Sequence, residues 1–578
     1  MMPRRFGLLV LPLLLLLLSG VGLGCYFETN DDLTIIELLR GTTAAAPVTD
    51  LHLYFHGYAA LWSQLYAAYP LVPWYALTLY GLLYLATLLV FAVLWRLLRP
   101  KLGVGALVLF LVLFWGVAWL EHGFWFNYAR VPVLLAGAAL LFAAQRASAR
   151  WALLVGVGLF GLAWLIRPST ALLGALAAAP GVWWLAGRRG LPLLAGVGVW
   201  AVVGALCLNL TWSPEAATFR RLDVLKSNLN DFQLTAPSTQ PLTARDSLGL
   251  AAARHWMYAD STLINESFFQ RAAPFRPTYF LLHTAPAKLA ALLVQLARDY
   301  FPLLLLVGVT GLLVGRLPGP RRSFWLVQLA YAGLAVGLGT VLKLPPRLAL
   351  PLLDFWVLSN LLFLFQHPAR ADGRAERVLL LALVVMAVPY GYKTWHRRGV
   401  LAQEQLRNRS ERWPAFISPN QQRALASSQL TQEQYRQQKM LAIRAVAAKI
   451  IVSDAQEETY KSESPFTEGH PPLVIYSFVL KSPLRYLSVA GWQTLHPSQA
   501  RLRQQLTGTR QFTEALRRLG ARPDVAWVLT PEGAAILNRQ LTLEQAPGQP
   551  VMQLLPVPLL AKRGARAQLY EMRIKFPQ

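Results

Sequence analysis

Charge and cysteine are both scarce in this chain of 578 residues. Only 15% of the residues are charged, 55% are hydrophobic, and the mean hydropathy is +0.39. A soluble protein of this size needs more charge to cover its surface, so the composition excludes an ordinary soluble enzyme. The two cysteines, Cys25 and Cys207, are too few for a disulfide framework or a cysteine-based metal site.

The apolar residues form long runs and lack the alternation that a β-barrel requires. Runs rich in Leu, Ala, Val and Gly predict membrane-spanning helices of about 20 residues each. The predicted fold class is a polytopic α-helical membrane protein with about eleven spans and a small C-terminal α/β domain. The predicted spans are 6–24, 75–95, 103–120, 131–145, 151–166, 169–187, 191–210, 300–316, 323–342, 348–366 and 377–393.

The net charge of +26 comes largely from arginines in short connections between the runs. Alternate connections are basic, as the positive-inside rule requires if Arg4 and Arg5 are cytoplasmic. Such loops also suit anionic lipid headgroups, and without a nucleic-acid-binding motif we expect no nucleic-acid partner. This orientation is that of a multi-pass protein of the bacterial cytoplasmic (inner) membrane.

The same orientation predicts which segments lie outside the cytoplasm. We expect a transmembrane domain over 1–395, with a first outer loop at 25–74 and a large outer loop at 212–300. The rise in polar residues beyond it predicts an extracytoplasmic soluble α/β domain over 396–578, with strands at 472–480, 525–529 and 568–574 and a helix at 511–519. Helical spacing from Asp31 to Leu39 and from Leu51 to Tyr69 predicts two helices lying along the membrane in the first outer loop.

The sequence Glu28-Thr29-Asn30-Asp31-Asp32 follows the first span directly. A carboxylate there could act as a base that takes a proton from a hydroxyl attacking an activated sugar carbon. A lipid phosphate departs as an anion, so one carboxylate would suffice. The alternative is that Asp31 and Asp32 cap the N-terminus of a helix. We favour catalysis because two adjacent acids exceed what capping needs.

Two basic residues at the outer end of a late span are exceptions to the positive-inside rule. Arg347, with Lys343 nearby, flanks a rigid Pro-Pro pair. A guanidinium there can bind a lipid phosphate and stabilise charge on the leaving group, although snorkelling towards headgroups is the alternative. Arg130 and Arg167 also face outwards in this topology and are further candidates for phosphate binding.

Other polar residues in the outer loops are weaker candidates. His52 and His56, four residues apart, could share a helix face and hold a metal, and His56 could shuttle protons. A pair without further ligands is more often just polar surface, so we assign no metal site and leave a divalent cation as an open alternative. Glu121 and His122, at the outer end of the third span, could line an acceptor site.

Together these features resemble the GT-C superfamily of integral membrane glycosyltransferases, particularly bacterial relatives of the protein O-mannosyltransferases and of the aminoarabinose transferase of lipid A. The resemblance covers about residues 1–395 and implies that a first-loop Asp is the base and a late-span Arg contacts the carrier phosphate. The family often has an Asp-Glu pair where this chain has Asp31-Asp32. Because this chain departs from the family pattern, it stays open which of the two aspartates is the base, and Glu28 is a third possibility.

The resemblance implies an inverting glycosyltransferase that takes a sugar from a polyprenyl-phosphate donor on the extracytoplasmic side, for a glycan, lipid or protein acceptor. One alternative is a polymerase or ligase of lipid-linked surface polysaccharide. A second is a lipid or sugar transporter or flippase, which would need polar or charged groups buried in the middle of its spans, or broken helices in paired halves. We expect the interiors of the spans to be nearly free of charge, which argues against transport.

Overall fold

A computed structural model describes residues 2–318, 321–366, 374–411, 449–454, 463–467, 485–557 and 567–576. Each predicted span corresponds to a helix, so the polytopic α-helical fold class is confirmed. In chain order the span helices are α1 (Met2–Leu23), α4 (Trp74–Leu98), α5 (Val104–Phe124, with a π-helical turn at Trp115–Trp119), α6 (Arg130–Ala144), α7 (Arg150–Ile166), α8 (Pro168–Ala186), α9 (Leu191–Thr211), α14 (Phe301–Gly315), α15 (Arg322–Val341), α16 (Pro346–Gln366) and α17 (Arg374–Glu411).

The helix ends sort into two opposite faces of the bundle. Arg347 at the start of α16 lies beside Asp31, and Lys393 of α17 pairs with Glu121 near the end of α5. At the other end, Gln145 bonds to the carbonyl of Val93. The face that carries Asp31, Glu121, Arg167 and Arg347 is called the site face below.

The first outer loop contains two helices, α2 (Asp31–Arg40) and α3 (Tyr58–Ala68). The first ends at Arg40 and is followed by Gly41, whose φ of 73° favours glycine. The predicted start of the second helix at Leu51 is wrong. His52 and Phe55 have positive φ angles, and the amides of Phe55 and His56 bond to carbonyls at the end of α7. Residues 51–57 are therefore an ordered loop that caps α7.

A further apolar helix, α13 (Pro277–Asp299), lies where the sequence predicts only part of the large outer loop. Lys288 bonds to the carbonyl of Leu342 at 2.5 Å, and Gln295 bonds to that of Leu344 at 3.4 Å. At its C-terminal end, Lys393 donates to the carbonyl of Asp299. Because Lys288, Gln295 and Asp299 all make their contacts at the site face, the C-terminal half of α13 lies along that face.

The C-terminal region contains strands β1 (Ile450–Ser453), β2 (Arg485–Ser488), β3 (Val525–Leu529), β4 (Val551–Pro556) and β5 (Gln568–Lys575), and helices α18 (Pro497–Thr507), α19 (Phe512–Gly520) and α20 (Pro531–Leu543). The strands form one sheet in the order β2-β1-β3-β5-β4. Strands β2, β1 and β3 are parallel, and β5 runs antiparallel to β3 and β4. The small α/β region is confirmed, whereas the predicted strand at 472–480 lies outside the described residues.

The large outer loop and the sheet share one hydrophobic core. The loop contributes α10 (Pro214–Asn230), α11 (Ala244–Arg254) and α12 (Glu266–Ala272). Leu248 and Phe268 are fully buried together with Leu502 and Leu529. Helix α17 runs unbroken from Arg374 to Glu411 and therefore passes through residue 395. The domain division at 395/396 stays a prediction.

The close approach of α6 and α8 generates a prediction about Gly174. A Cβ atom there would lie 2.2 Å from the backbone carbonyl oxygen of Val133, and that backbone cannot move aside as a flexible side chain can. We expect Gly174→Ala to lower the stability of the detergent-solubilised protein by about 1–3 kcal/mol, measured by thermal unfolding.

Gly158→Ala on α7 is the matched control, because nothing lies within 4 Å of its Cβ position. Equal melting temperatures for the two variants would contradict the proposed close contact.

Candidate active site

The two aspartates of the acidic cluster face different surroundings. The Asp31 side chain is 26% exposed and its Oδ2 lies 4.0 Å from an Arg347 nitrogen, whereas Asp32 is fully buried. Adjacent residues at the start of a helix point in directions about 100° apart, which separates the two side chains. Asp31 alone of the pair can therefore meet a substrate directly.

Asp32 is held by three donors from two other segments. Its Oδ1 accepts from the Tyr75 hydroxyl at 2.8 Å and from the Tyr128 amide at 3.0 Å, and its Oδ2 accepts from Asn127 Nδ2 at 3.0 Å. Burial raises the pKa of Asp32 well above its usual range, while the hydrogen bonds from Tyr75 and Tyr128 lower it. Asp32 thus joins α2 to α4 and to the segment before α6.

Helix capping does not explain these two acids. The N-cap residue of α2 is Asn30, and its side chain makes no capping hydrogen bond. The Thr29 hydroxyl donates to Asp31 Oδ2 at 3.3 Å and accepts from Asn127. The carboxylates are directed away from their own helix, towards Arg347 in one case and into the protein in the other.

Arg347 stands at the second position of α16, directly after Pro346. Its side chain is 22% exposed, so its guanidinium remains accessible beside Asp31. Lys343 lies in the preceding turn, is half exposed and pairs with Asp231 of the large outer loop at 3.4 Å. The structure therefore brings Asp31 and Arg347 together and directs Lys343 towards another carboxylate.

Arg167 belongs to an aromatic cluster next to Asp32. Its Nη1 donates to the Tyr128 hydroxyl at 2.8 Å, and its guanidinium lies 5.9 Å from the centre of the Tyr54 ring. Tyr54 also contacts Trp492 of the C-terminal region, with ring centres 5.6 Å apart. Burial raises the pKa of Tyr54 well above its usual range, so its hydroxyl stays protonated. Sequence reasoning missed Tyr54 and Tyr128 because both lie in irregular segments and their contacts join parts of the chain that are distant in sequence.

Arg130, unlike Arg347, is not available to a ligand in this structure. It is buried, and its Nε and Nη2 both donate to Glu28 Oε2, at 3.2 and 2.7 Å. Its Nη1 lies 3.3 Å from the Glu121 carbonyl and 3.4 Å from His122 Nδ1. Glu28 and Arg130 therefore form a buried ion pair behind the site.

Glu121 and His122 extend this buried network. Glu121 pairs with Lys393 at 3.3 Å and Arg397 at 3.0 Å, while His122 Nε2 lies 2.7 Å from Asp354 Oδ2. Asp354 lies within α16 and is completely buried, so the expectation of span interiors nearly free of charge is wrong at this position. Both predicted acceptor-side residues thus face protein.

His52 and His56 do not form the predicted pair on one helix face, because helix α3 begins only at Tyr58. His52 pairs with Asp50 and stacks on His496, while His56 lies against Trp164. Burial lowers the pKa of His56. Within the described ranges, no group of three or more His, Cys, Asp or Glu side chains could hold a metal ion.

Comparison with solved structures finds a crystal structure of ArnT from Cupriavidus metallidurans bound to undecaprenyl phosphate. The two chains are 13% identical, the match covers 97% of each, and the TM-score is 0.39. No model of a protein family and no curated protein matches the chain. The resemblance to the GT-C superfamily stays a prediction from the sequence. At this TM-score neither site nor activity follows from the similarity, and the function proposed below rests on side-chain geometry.

The hydrogen bonds of Asp32 predict a large loss of stability in Asp32→Ala. The substitution leaves the Tyr75 hydroxyl and the Tyr128 amide buried without their acceptor, at a cost of about 1–3 kcal/mol for each group, and it removes one of the two acceptors of the Asn127 amide group. We expect a clear fall in melting temperature. Asp31→Ala is the matched control, because loss of its partly exposed ion pair costs at most about 1 kcal/mol. Similar melting temperatures for the two variants would contradict the structural role of Asp32.

Proposed function

We propose that the protein is an inverting glycosyltransferase that moves a sugar from a polyprenyl-phosphate donor to an acceptor at the extracytoplasmic face of the inner membrane. The observation that carries the proposal is the meeting of Asp31 and Arg347, both partly exposed, at one end of a bundle of membrane-spanning helices. A base and a phosphate-binding cation side by side are what this reaction requires.

Asp31 is the proposed base. Its carboxylate accepts the proton of the acceptor hydroxyl as that oxygen attacks the anomeric carbon, and the bond from that carbon to the phosphate oxygen breaks. Attack opposite the leaving phosphate inverts the configuration. Asp32 cannot act as the base, because its oxygens are buried and accept hydrogen bonds from three donors. It is instead the residue that fixes the start of α2.

Arg347 is the proposed partner of the leaving phosphate. Its guanidinium presents several donors in a fixed plane, which suits two phosphate oxygens at once and stabilises the charge that develops on them. It lies on the first turn of a span helix, where a lipid phosphate at the membrane surface would arrive laterally. The present ion pair with Asp31 at 4.0 Å would open to admit the sugar between the two groups.

The acceptor would approach from the side of the large outer loop and the C-terminal region. Arg167 is partly exposed on this side of the site and lies against the buried rings of Tyr54 and Tyr128. Lys226 pairs with Asp223 at 2.5 Å and lies over Trp256 in the same region. These residues come from segments that are far apart in the sequence, which suits recognition of an extended acceptor.

The base assignment predicts that Asp31→Asn abolishes most of the transfer. The amide cannot accept the proton, so we expect turnover to fall by about 10²–10⁴-fold with little change in donor binding. The measurement is transfer of radiolabelled sugar from a polyprenyl-phosphate donor by protein in proteoliposomes. Asp50→Asn, in the same outer loop, is the control for loss of a carboxylate. Undiminished transfer by a folded Asp31→Asn protein would refute the assignment.

The phosphate assignment predicts a different kinetic change in Arg347→Ala. Loss of the guanidinium should raise the KM for the donor and lower kcat, because the phosphate is bound in both the ground state and the transition state. Arg347→Lys should recover only part of the activity, since an ammonium group cannot bind two oxygens in the same plane. Arg316→Ala, at the opposite end of the bundle, is the control. A normal donor KM in Arg347→Ala would count against phosphate binding.

A further inference from the structure

A continuous series of buried polar side chains connects the segment before Asp31 to α16, the helix that carries Arg347. It begins at Glu28, three residues before Asp31, and runs through Arg130 to His122 and then to Asp354. Asp354 lies seven residues after Arg347 on α16, so the two share a face of that helix about 10 Å apart. The series of polar contacts therefore ends on the helix that carries Arg347, about two turns away from that residue.

The hydrogen-bond directions fix the form of the histidine. Arginine has only donors, so His122 Nδ1 must accept from Arg130. The proton then lies on Nε2, which donates to Asp354 Oδ2 at 2.7 Å. In this form the imidazole is neutral and connects a cation to a carboxylate. The arrangement holds the ring of His122 in one orientation.

Stability alone does not account for the His122–Asp354 pair. Both side chains are 0% exposed, and Asp354 Oδ1 has no hydrogen-bond partner among the described residues. Burying such a pair is costly, and apolar residues of similar volume often serve stability equally well. What the pair supplies is a directional contact that apolar packing cannot give. It sets the rotation of α16 relative to α5.

We propose that His122 and Asp354 are a positioning pair, which fixes the rotation and height of α16 and so holds Arg347 at the distance from Asp31 that binding of the sugar phosphate requires. This inference rests on the function proposed above. Neither residue touches substrate, and each acts through Arg347.

A matched control lies on the same helix, α16, six residues after Asp354. Asn360 is also fully buried, and its Nδ2 donates to Thr310 at 3.0 Å and to Gln328 at 3.2 Å. These partners belong to α14 and α15, and among the described residues neither bonds to Glu28, Arg130, His122 or Asp354. Asn360→Leu therefore removes a buried polar contact of the same helix without removing the anchor next to the site.

The test compares the binding of undecaprenyl phosphate, used as a probe, in nanodiscs. We expect Asp354→Leu to weaken binding by about tenfold to a hundredfold, the loss typical of a displaced binding group. Asp354→Asn, which keeps an oxygen for His122 Nε2–H, should restore most of the affinity. Asn360→Leu should lower the melting temperature but leave the affinity near that of the unaltered protein. Equal losses of affinity in Asp354→Leu and Asn360→Leu would overturn the proposal.

A double-mutant comparison tests whether the pair acts through Arg347. With Arg347→Ala already present, Asp354→Leu should weaken binding little further, because the group that it positions is gone. A full additional loss would mean that Asp354 acts by another route and would overturn the proposal.

A second measurement does not depend on the proposed function. In a Cys207→Ser background, Asp31→Cys and Arg347→Cys are bridged by a short bifunctional thiol reagent, since the remaining Cys25 is buried. Bridging should slow when Asp354→Leu is added and should be unchanged by Asn360→Leu. If the unaltered protein failed to bind the probe, the phosphate assignment would fall while this measurement still tested positioning. Unchanged bridging in Asp354→Leu would refute positioning itself.

Discussion

The buried carboxylate of Asp32 is the contact on which the arrangement of the site depends. It ties the start of α2 to α4 through Tyr75 and to the segment before α6 through Tyr128 and Asn127. The apolar face of α2, with Ile35, Leu38 and Leu39, is buried in a hydrophobic core, and the hydrogen bonds of Asp32 add directional contacts at its first turn. With Asp32 held, its neighbour Asp31 lies on the side of the helix that faces Arg347. A structural acid thus positions a reactive one beside it.

Charge balance makes the buried polar network behind the site tolerable. Three carboxylates, Glu28, Glu121 and Asp354, lie among three cations, Arg130, Lys393 and Arg397, with a neutral His122 between them. A single unpaired charge at this depth would be far more costly. The network draws on α5, α6, α16 and α17 and on the segment after α1. Its hydrogen bonds and ion pairs therefore connect these helices at the end of the bundle that carries the site.

The outer segments fold as one unit because none can bury its apolar surface alone. The helices of the large outer loop pack onto the C-terminal sheet, and the first outer loop contacts the same region through Arg485 and His496. Trp492 of this unit contacts Tyr54, which lies next to the site. The space open to an acceptor is consequently bounded by parts of the chain several hundred residues apart.

Hydropathy and charge in the sequence determined the fold class, the positions of the spans and the grouping of their ends, because the membrane requires continuous apolar helices and alternating basic loops. They also pointed to Asp31 and Arg347. Only the tertiary structure separated Asp31 from Asp32, removed Arg130 from the phosphate-binding candidates, and revealed Asp354. Burial and hydrogen-bond partners decide these roles, and they depend on contacts such as Glu28 with Arg130 that join residues more than a hundred positions apart. No local pattern carries that information, and the same reason explains why the loop before α3 resembled a helix in sequence.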